Sequence, residues 1–229
     1  MHTQLELVHT IPIEASEAEH QLLFTLRNLV CQPPMDRLKQ YTDTLSTLVT
    51  ALKAKDPLLY LHSCRVQRLT HRLTSALRMP EKEAKTIKVA ALLHDIGKLG
   101  IHDAILRKAS RLTFQEYETV KEHPARGAYI LSQIPWLEKV VPLVHSHHER
   151  WDGDGYPYGL RRKAIPLGAR IIAIADAFEV MTSQNRTYQT PRTTDEALDE
   201  LLRCAGTQFD RSLVTLFCTN LTPDLALAS

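Results

Sequence analysis

The sequence predicts an all-α protein, and three observations indicate this fold class. Apolar residues recur at helical spacing along most of the 229-residue chain. Three segments, beginning at Ser16, Thr113 and Thr193, have the Ser/Thr-x-x-Glu spacing of a helix capping box. No alternating strand pattern of any length is present, nor any internal repeat or low-complexity tract.

The N-terminal part contains two predicted helices. The capping box at Ser16 is followed by an apolar face that ends before Pro33-Pro34, where the chain must break. A second amphipathic helix then runs through the leucines from Leu38 to Leu52. We therefore expect a short helical module over residues 1–55, ahead of the main domain at residues 56–229.

The main domain begins with a helix start signal. Asp56 can act as the N-cap, and Pro57 suits the first helical position because its missing amide needs no partner there. The apolar spacing that follows is interrupted at Met79-Pro80, which should start the helix leading to His94. Later helices are predicted to begin at Thr113 and Thr193 and to cover Trp136 to Glu149 and Pro166 to Ser183.

The composition excludes several functional classes. A net charge of +2 gives no electrostatic case for nucleic acid or for an anionic membrane. No apolar run approaches the length that spans a bilayer, and the first ten residues lack the order of a signal peptide. The four cysteines form no Cys-x-x-Cys pair, which excludes a zinc ribbon and predicts reduced, mostly buried thiols in a cytoplasmic protein.

The most informative segment runs from His147 to Pro157. It places two adjacent histidines beside acidic residues and continues into a glycine-rich turn with one tyrosine. Adjacent histidines rarely serve a core, because each ring needs a polar partner, whereas neutral imidazole is the commonest protein ligand of transition metals. Glycines allow a tight turn or close approach to a ligand. The segment alone predicts a metal site beside a ligand-facing loop.

A second motif is the pair His94-Asp95, which ends an apolar helical run and is followed by Gly97 and Lys98. Together with His147 to Pro157, this motif resembles the HD-GYP family, the cyclic di-GMP phosphodiesterases of the HD superfamily of helical-bundle phosphohydrolases. The resemblance covers about residues 57–217, in order and spacing. It continues through Gly100-Ile101, Ile105-Leu106, Glu122-His123, Gly127, Arg170-Ile171, Asp176, Thr182-Ser183, Arg186 and Phe209-Asp210.

The resemblance implies a centre of two divalent metal ions, with a ligand set of nitrogen and oxygen that suits iron, manganese or zinc and favours Fe or Mn. The implied metal ligands are His62, His94, Asp95, His123, His147, His148 and Asp176. Asp95 and Lys98 are the implied catalytic residues. The implied substrate-binding residues are Lys98, Gly155, Tyr156, Pro157 and Arg186. The implied reaction is hydrolysis of cyclic di-GMP to pGpG, with further cleavage to GMP left open.

Each assignment has a structural alternative. His62 lies on an apolar helix face, where a lone histidine is more often a hydrogen-bonded core residue. Asp176 lies among apolar residues, where an unpaired carboxylate is costly, and could instead pair with Arg170. His123 could be an exposed residue before a proline-initiated helix, and Lys98 could simply face solvent.

Several departures from the family pattern leave the ligand open. Leu58 stands where some relatives have a metal-binding glutamate, which favours two metals over three. The segment around Arg186 has one extra residue and lacks the usual proline, and Asp154 could repel an anion. Two alternatives follow. One is hydrolysis of another cyclic dinucleotide or nucleotide, and the other is a metal-bound sensor or scaffold that binds signalling partners such as diguanylate cyclases.

Overall fold

The computed structural model describes residues 35–184 and 190–225, with side chains at 39–184 and 190–221. Its α-helices in chain order are α1 Met35–Lys55, α2 Pro57–Ala76, α3 Glu81–Leu93, α4 Asp103–Leu106, α5 Phe114–Lys121, α6 His123–Ser132, α7 Val141–His145, α8 Leu167–Thr182, α9 Thr194–Arg203 and α10 Arg211–Leu225. Short 3₁₀ turns span Ile96–Gly100, Pro135–Leu137 and Arg162–Ala164. Within these residues the only β pairing is an isolated bridge between Ala205 and Phe209, so the all-α prediction is confirmed.

The helix start signals read from the sequence are confirmed where the structure describes them. The Asp56 carboxylate accepts the backbone N–H of Leu58 at 2.8 Å, and α2 begins there. Thr113 and Thr193 each form a reciprocal capping box with the glutamate three residues later. The Ser16 box lies outside the described residues.

The helix predicted from Trp136 to Glu149 is wrong. The structure instead has a 3₁₀ turn at Pro135–Leu137, the short helix α7 and a turn that carries His147. Pro142 has no amide hydrogen, so it starts α7 and cannot continue a helix from Trp136. The predicted helix from Pro166 to Ser183 is confirmed as α8.

The core that positions the site is formed by α2, α3 and α8. The central helix α8 is buried around most of its circumference, including Ile171, Ile172 and Ile174. Val66 of α2 and Leu92 of α3 are fully buried in the same core. Because α8 is enclosed in this way, Glu179 on it is only 4% exposed and faces other protein groups.

The compact unit that contains the site is Thr44–Ser229. Its beginning is anchored by Lys55, whose ammonium donates to the carbonyl of Ile101 at 2.8 Å and whose own carbonyl accepts from Arg107 at 2.9 Å. This unit starts before the boundary predicted after Lys55. A separate N-terminal module over residues 1–55 therefore stays a prediction.

Two predictions from composition can be compared with the structure. None of the helices it describes has both the length and the apolar character required to cross a lipid bilayer. Among the described residues, Cys64, Cys204 and Cys218 form no disulfide bond, and they are half-buried, whereas mostly buried thiols were predicted. Cys31 lies outside the described residues.

Candidate metal centre

Five separate parts of the chain meet at one buried cluster. The turns and helices around α2, α3, α6, α7 and α8 bring together residues that are far apart in sequence. All seven predicted ligands are present in it: His62, His94, Asp95, His123, His147, His148 and Asp176. Their ligand atoms form three overlapping groups, in each of which the atoms lie within 4.8 Å of one another.

The first half of the centre is formed by His62, His94 and Asp176. The Nε2 atom of His62 lies 3.1 Å from an Asp176 oxygen and 3.3 Å from Nε2 of His94. The alternative partner of Asp176 is excluded by these contacts, because Arg170 binds Asp210 at 2.7 Å instead. The apolar-face histidine and the buried aspartate thus face each other across the core.

The second half is formed by His123, His147 and His148. The Nε2 atoms of His123 and His147 are 3.2 Å apart, and the ring centroids of His147 and His148 are 4.1 Å apart. His123 is only 1% exposed, so the alternative of an exposed histidine at this position is wrong.

Asp95 lies between the two halves. One carboxylate oxygen is 3.3 Å from Nε2 of His94, and the other is 3.2 Å from Nε2 of His123. The oxygen near His123 is buried and has no hydrogen-bond partner. A buried carboxylate oxygen without a partner is costly, and a cation between Asp95 and the histidine nitrogens would satisfy it. The residues present therefore fit divalent metal ions, which Asp95 and the histidines on either side of it would hold.

Three of the histidines are oriented by the backbone. The Nδ1 atoms of His94, His123 and His147 donate to the carbonyls three residues earlier, at 2.7, 2.7 and 2.6 Å. A carbonyl can only accept, so Nδ1 carries the proton and Nε2 keeps its lone pair. Each Nε2 is thus aimed into the centre in its metal-binding form.

Burial and local charge also favour the metal-binding protonation states. Burial lowers the pKa of His123 to about 3 and that of His148 to about 4, and it holds His147 well below its usual range. Burial alone would raise the pKa of Asp95, but the charge of Lys98 and the nearby histidines hold it well below its usual range. Neutral imidazoles and ionised carboxylates are the forms that bind metal.

His62 differs from the other histidines. Burial would lower its pKa, but hydrogen bonds with Asp176 and Glu179 raise it to about 9. Glu179 was missed by the sequence reasoning. It is 4% exposed and accepts hydrogen bonds from His62 and Arg65. Its position one turn after Asp176 on α8 is the signal that could have identified it.

The Gly-Tyr-Pro loop is held against the centre by close contacts. A Cβ atom on Gly155 would lie 2.4 Å from the Arg150 nitrogen, so only glycine allows this approach. The Tyr156 ring stacks on His148 with centroids 4.9 Å apart. Glu149, also missed as a site residue, accepts the backbone N–H of Tyr158 at 2.7 Å and so shapes the loop.

A cavity of about 1030 Å³ opens beside the centre. Its walls include six cationic side chains, which are Arg65, Lys98, Arg107, Lys108, Arg111 and Arg150. Lys98 donates to Asp95 at 2.7 Å, so it does not simply face solvent. Of these six, Arg111 alone has no carboxylate partner among residues 39–184 and 190–221.

The predicted substrate-binding residues are only partly brought together. Lys98 lies on the cavity wall, whereas Gly155, Tyr156 and Pro157 are not among the described residues that form it. Arg186 lies outside the described residues.

Comparisons with known proteins show which family this chain is similar to. Residues 46–213 match the family model described as HD domain. A cyclic di-GMP phosphodiesterase of Thermotoga maritima is 38% identical over 184 residues, which are 78% of this chain and 50% of that protein. The 3'3'-cGAMP-specific phosphodiesterase 2 of Vibrio cholerae serotype O1 is 36% identical over 171 residues, covering 74% of this chain and 33% of that protein.

A solved structure, Bd1817, an HDG"Y"P protein from Bdellovibrio bacteriovorus, has a TM-score of 0.61 at 18% identity, covering 90% of this chain and 68% of that one. At this identity it shows the fold alone, and that fold is the all-α arrangement described above. The chain spans half or less of the length of these two curated relatives. Since the family model matches most of the sequence, the chain belongs to the HD domain family, and it carries the motifs of the HD-GYP group.

Proposed function

We propose that this chain hydrolyses a phosphodiester bond of cyclic di-GMP, using two divalent metal ions, most suitably Fe or Mn. The observation that carries the proposal is the Asp95 carboxylate, whose two oxygens face histidine nitrogens of different halves of the centre at 3.3 and 3.2 Å. One side chain in this position can be shared by two ions. The proposed ligands are seven in number, the six residues of the two halves and Asp95.

A pair of divalent ions, when bound, supplies a water that ionises near neutral pH and positive charge for the reacting phosphate. Hydrolysis adds one water molecule across a P–O ester bond of cyclic di-GMP and breaks that bond, which gives linear pGpG. A second hydrolysis would give GMP. The protein's own contribution is to fix the ligand atoms before substrate arrives, through the backbone hydrogen bonds at Nδ1 of His94, His123 and His147.

Lys98 is proposed as a catalytic residue that acts by charge. Its ammonium is 2.7 Å from Asp95, and the side chain lies on the wall of the cavity. A cation at this place can offset charge that develops on the phosphate or on the leaving oxygen. The contact with Asp95 also helps to keep that carboxylate ionised.

The cavity supports a substrate with two phosphates and two large bases. Its volume of about 1030 Å³ is at the upper end of the range for small-molecule sites. Arg111, with no carboxylate partner among the described residues, is available to a second phosphate of the substrate. Contacts from Gly155, Tyr156, Pro157 and Arg186 stay predictions.

A second candidate is hydrolysis of a different cyclic dinucleotide. The similarity to the 3'3'-cGAMP-specific enzyme of Vibrio cholerae supports it, because identity to that protein is nearly the same as to the cyclic di-GMP enzyme. The metal centre acts on the phosphodiester, which these compounds share, and does not distinguish the bases. Binding of diguanylate cyclases or other signalling proteins stays a prediction.

One experiment separates these functions. The protein is purified without oxygen, loaded with iron or manganese, and incubated in parallel with cyclic di-GMP and 3'3'-cGAMP, and products are followed by chromatography. We expect cyclic di-GMP to be linearised by the metal-loaded protein and not by protein treated with a chelator. Faster turnover of 3'3'-cGAMP would favour the second candidate. No turnover of either compound with either metal would contradict a phosphodiesterase.

A further inference from the structure

Glu179 connects a predicted metal ligand to a cation. Its carboxylate is 4% exposed, and its two oxygens accept from different donors on α2. One oxygen accepts from Nδ1 of His62, and the other accepts from Nε of Arg65. A buried carboxylate with both oxygens occupied in this way is fixed in one orientation.

The residues that make these contacts are spaced three apart on both α2 and α8. His62 and Arg65 are three residues apart on α2, and Asp176 and Glu179 are three residues apart on α8, so each pair lies on one helix face. Two successive carboxylates of α8 therefore face the two ring nitrogens of His62. Asp176 faces Nε2 at 3.1 Å, and Glu179 accepts from Nδ1.

His62 needs this arrangement because of where it lies in its helix. The other three oriented histidines lie at helix ends or in turns and donate Nδ1–H to nearby carbonyls. His62 lies inside α2, where the preceding carbonyls already accept the N–H groups of the helix. Its Nδ1 therefore needs an acceptor from another element, and Glu179 supplies it.

We propose that Glu179 is a positioning residue for the first half of the metal centre. Glu179 orients the His62 ring and makes its Nε2 lone pair a stronger ligand for a metal ion. Arg65 fixes Glu179 in the required rotamer. The inference rests on the metal centre of the proposed function but not on the identity of the substrate. Glu179 itself touches neither the reacting atoms nor, in this assignment, the metal.

The test is a metal titration of Glu179→Gln, which keeps the shape of the side chain and removes its charge. Manganese affinity is measured against a competing chelator, step by step, with the full chain and no substrate. We expect one of the two ions to bind about 10–100-fold more weakly, as is typical for loss of such a partner, and the other to be unchanged. Glu81→Gln is the matched control, because Glu81 forms an exposed ion pair with Lys85 at 2.5 Å.

A second readout reports on the hydrogen bond itself. The Nδ1 proton of His62 should give a separate downfield proton NMR signal. Its chemical shift should move upfield in Glu179→Gln and be unchanged in Glu81→Gln. If Glu179→Gln does not fold, Arg65→Gln is titrated instead, and the same single ion should be weakened. Unchanged affinity for both ions in the folded variant, or equal weakening of both, would overturn the inference.

The outcome is separable from that of the proposed function. A wild-type protein that binds two ions but cleaves no cyclic dinucleotide would contradict the phosphodiesterase activity and leave the role of Glu179 intact. Full activity of Glu179→Gln with unchanged affinity for both ions would contradict the role of Glu179 and leave the phosphodiesterase activity intact. A wild-type protein that binds neither manganese nor iron would overturn both.

Discussion

The two halves of the metal centre are built in different ways. In the first half, His62 and Asp176 lie inside the long helices α2 and α8, and side chains of the facing helix hold them. In the second half, His123 and His147 lie at a helix start and in a turn, and backbone carbonyls hold them. His94 of the first half is also held by a backbone carbonyl. The halves therefore differ in His62 and Asp176, whose positions depend on the packing of α2 against α8.

The halves also differ in charge. The first contains an ionised Asp176 and a histidine, His62, whose pKa is raised to about 9 by its carboxylate partners against the effect of burial. The second contains imidazoles whose pKa values are lowered by burial, with no carboxylate of its own. Asp95 is the carboxylate that both halves share. Its removal should therefore affect the second half as much as the first.

The largest expected effect is that of Asp95→Ala. Loss of the shared carboxylate should abolish binding of both ions and with it hydrolysis, which elemental analysis and a chromatographic assay would check. Asp199→Ala, at an exposed aspartate on α9, is the control and should keep both ions. An Asp95→Ala protein that remained active and fully loaded would refute the proposed ligand set.

The comparison of the halves is tested directly by His62→Ala and His123→Ala. Each variant should keep one ion and lose the other, because each removes a ligand from one half only. A bound ion supplies several kcal/mol of charge stabilisation, so kcat should fall by about 10³ or more in both. Metal content shows whether the halves are independent. Loss of both ions in either variant would mean that they are not.

A smaller and selective effect is expected from Gly97→Ala. A Cβ at this position would lie 2.0 Å from the His123 carbonyl oxygen and 2.5 Å from the Gly127 nitrogen, so α6 must move away from the turn that carries Asp95. Overpacking of this kind costs about 1–3 kcal/mol of unfolding free energy, measurable by urea denaturation. The ion of the second half should be weakened most.

Gly100→Ala is the control for this experiment, since it lies in the same 3₁₀ turn. The nearest atom to its added Cβ is the end of the flexible Arg126 side chain, at 3.1 Å. The unfolding free energy of this variant should lie within about 0.5 kcal/mol of the wild-type value, as is usual for tolerated surface changes. Equal destabilisation by the two substitutions would show that the contact with His123 is not what requires glycine at position 97.

The smallest effect is expected from Tyr156→Phe. The phenylalanine ring keeps the stacking on His148, whose centroid lies 4.9 Å away, so metal content should be unchanged. Any loss should appear in the Michaelis constant for the dinucleotide, because only the hydroxyl is removed. Loss of metal in this variant would show that the hydroxyl supports the centre structurally.

Much of the fold was predictable because its signals are local. Capping boxes at Thr113 and Thr193 and the Asp56-Pro57 start depend on residues within one helical turn, and all three are confirmed. The continuous helix from Trp136 to Glu149 was predicted wrongly because apolar periodicity outweighed Pro142. The same segment contains the turn that carries His147. The wrong helix would therefore have placed this metal-ligand candidate in the wrong local structure.

The sequence by itself predicted which residues could bind metal, through the resemblance of its His-His and His-Asp motifs to the HD-GYP family. It also determined the helical class and the family resemblance. Only the tertiary structure decided that Asp95 lies between two groups of histidines, that Arg170 pairs with Asp210, and that Glu179 holds His62. These contacts join residues up to 117 positions apart, and periodicity along one helix carries no information about which face of another helix it meets.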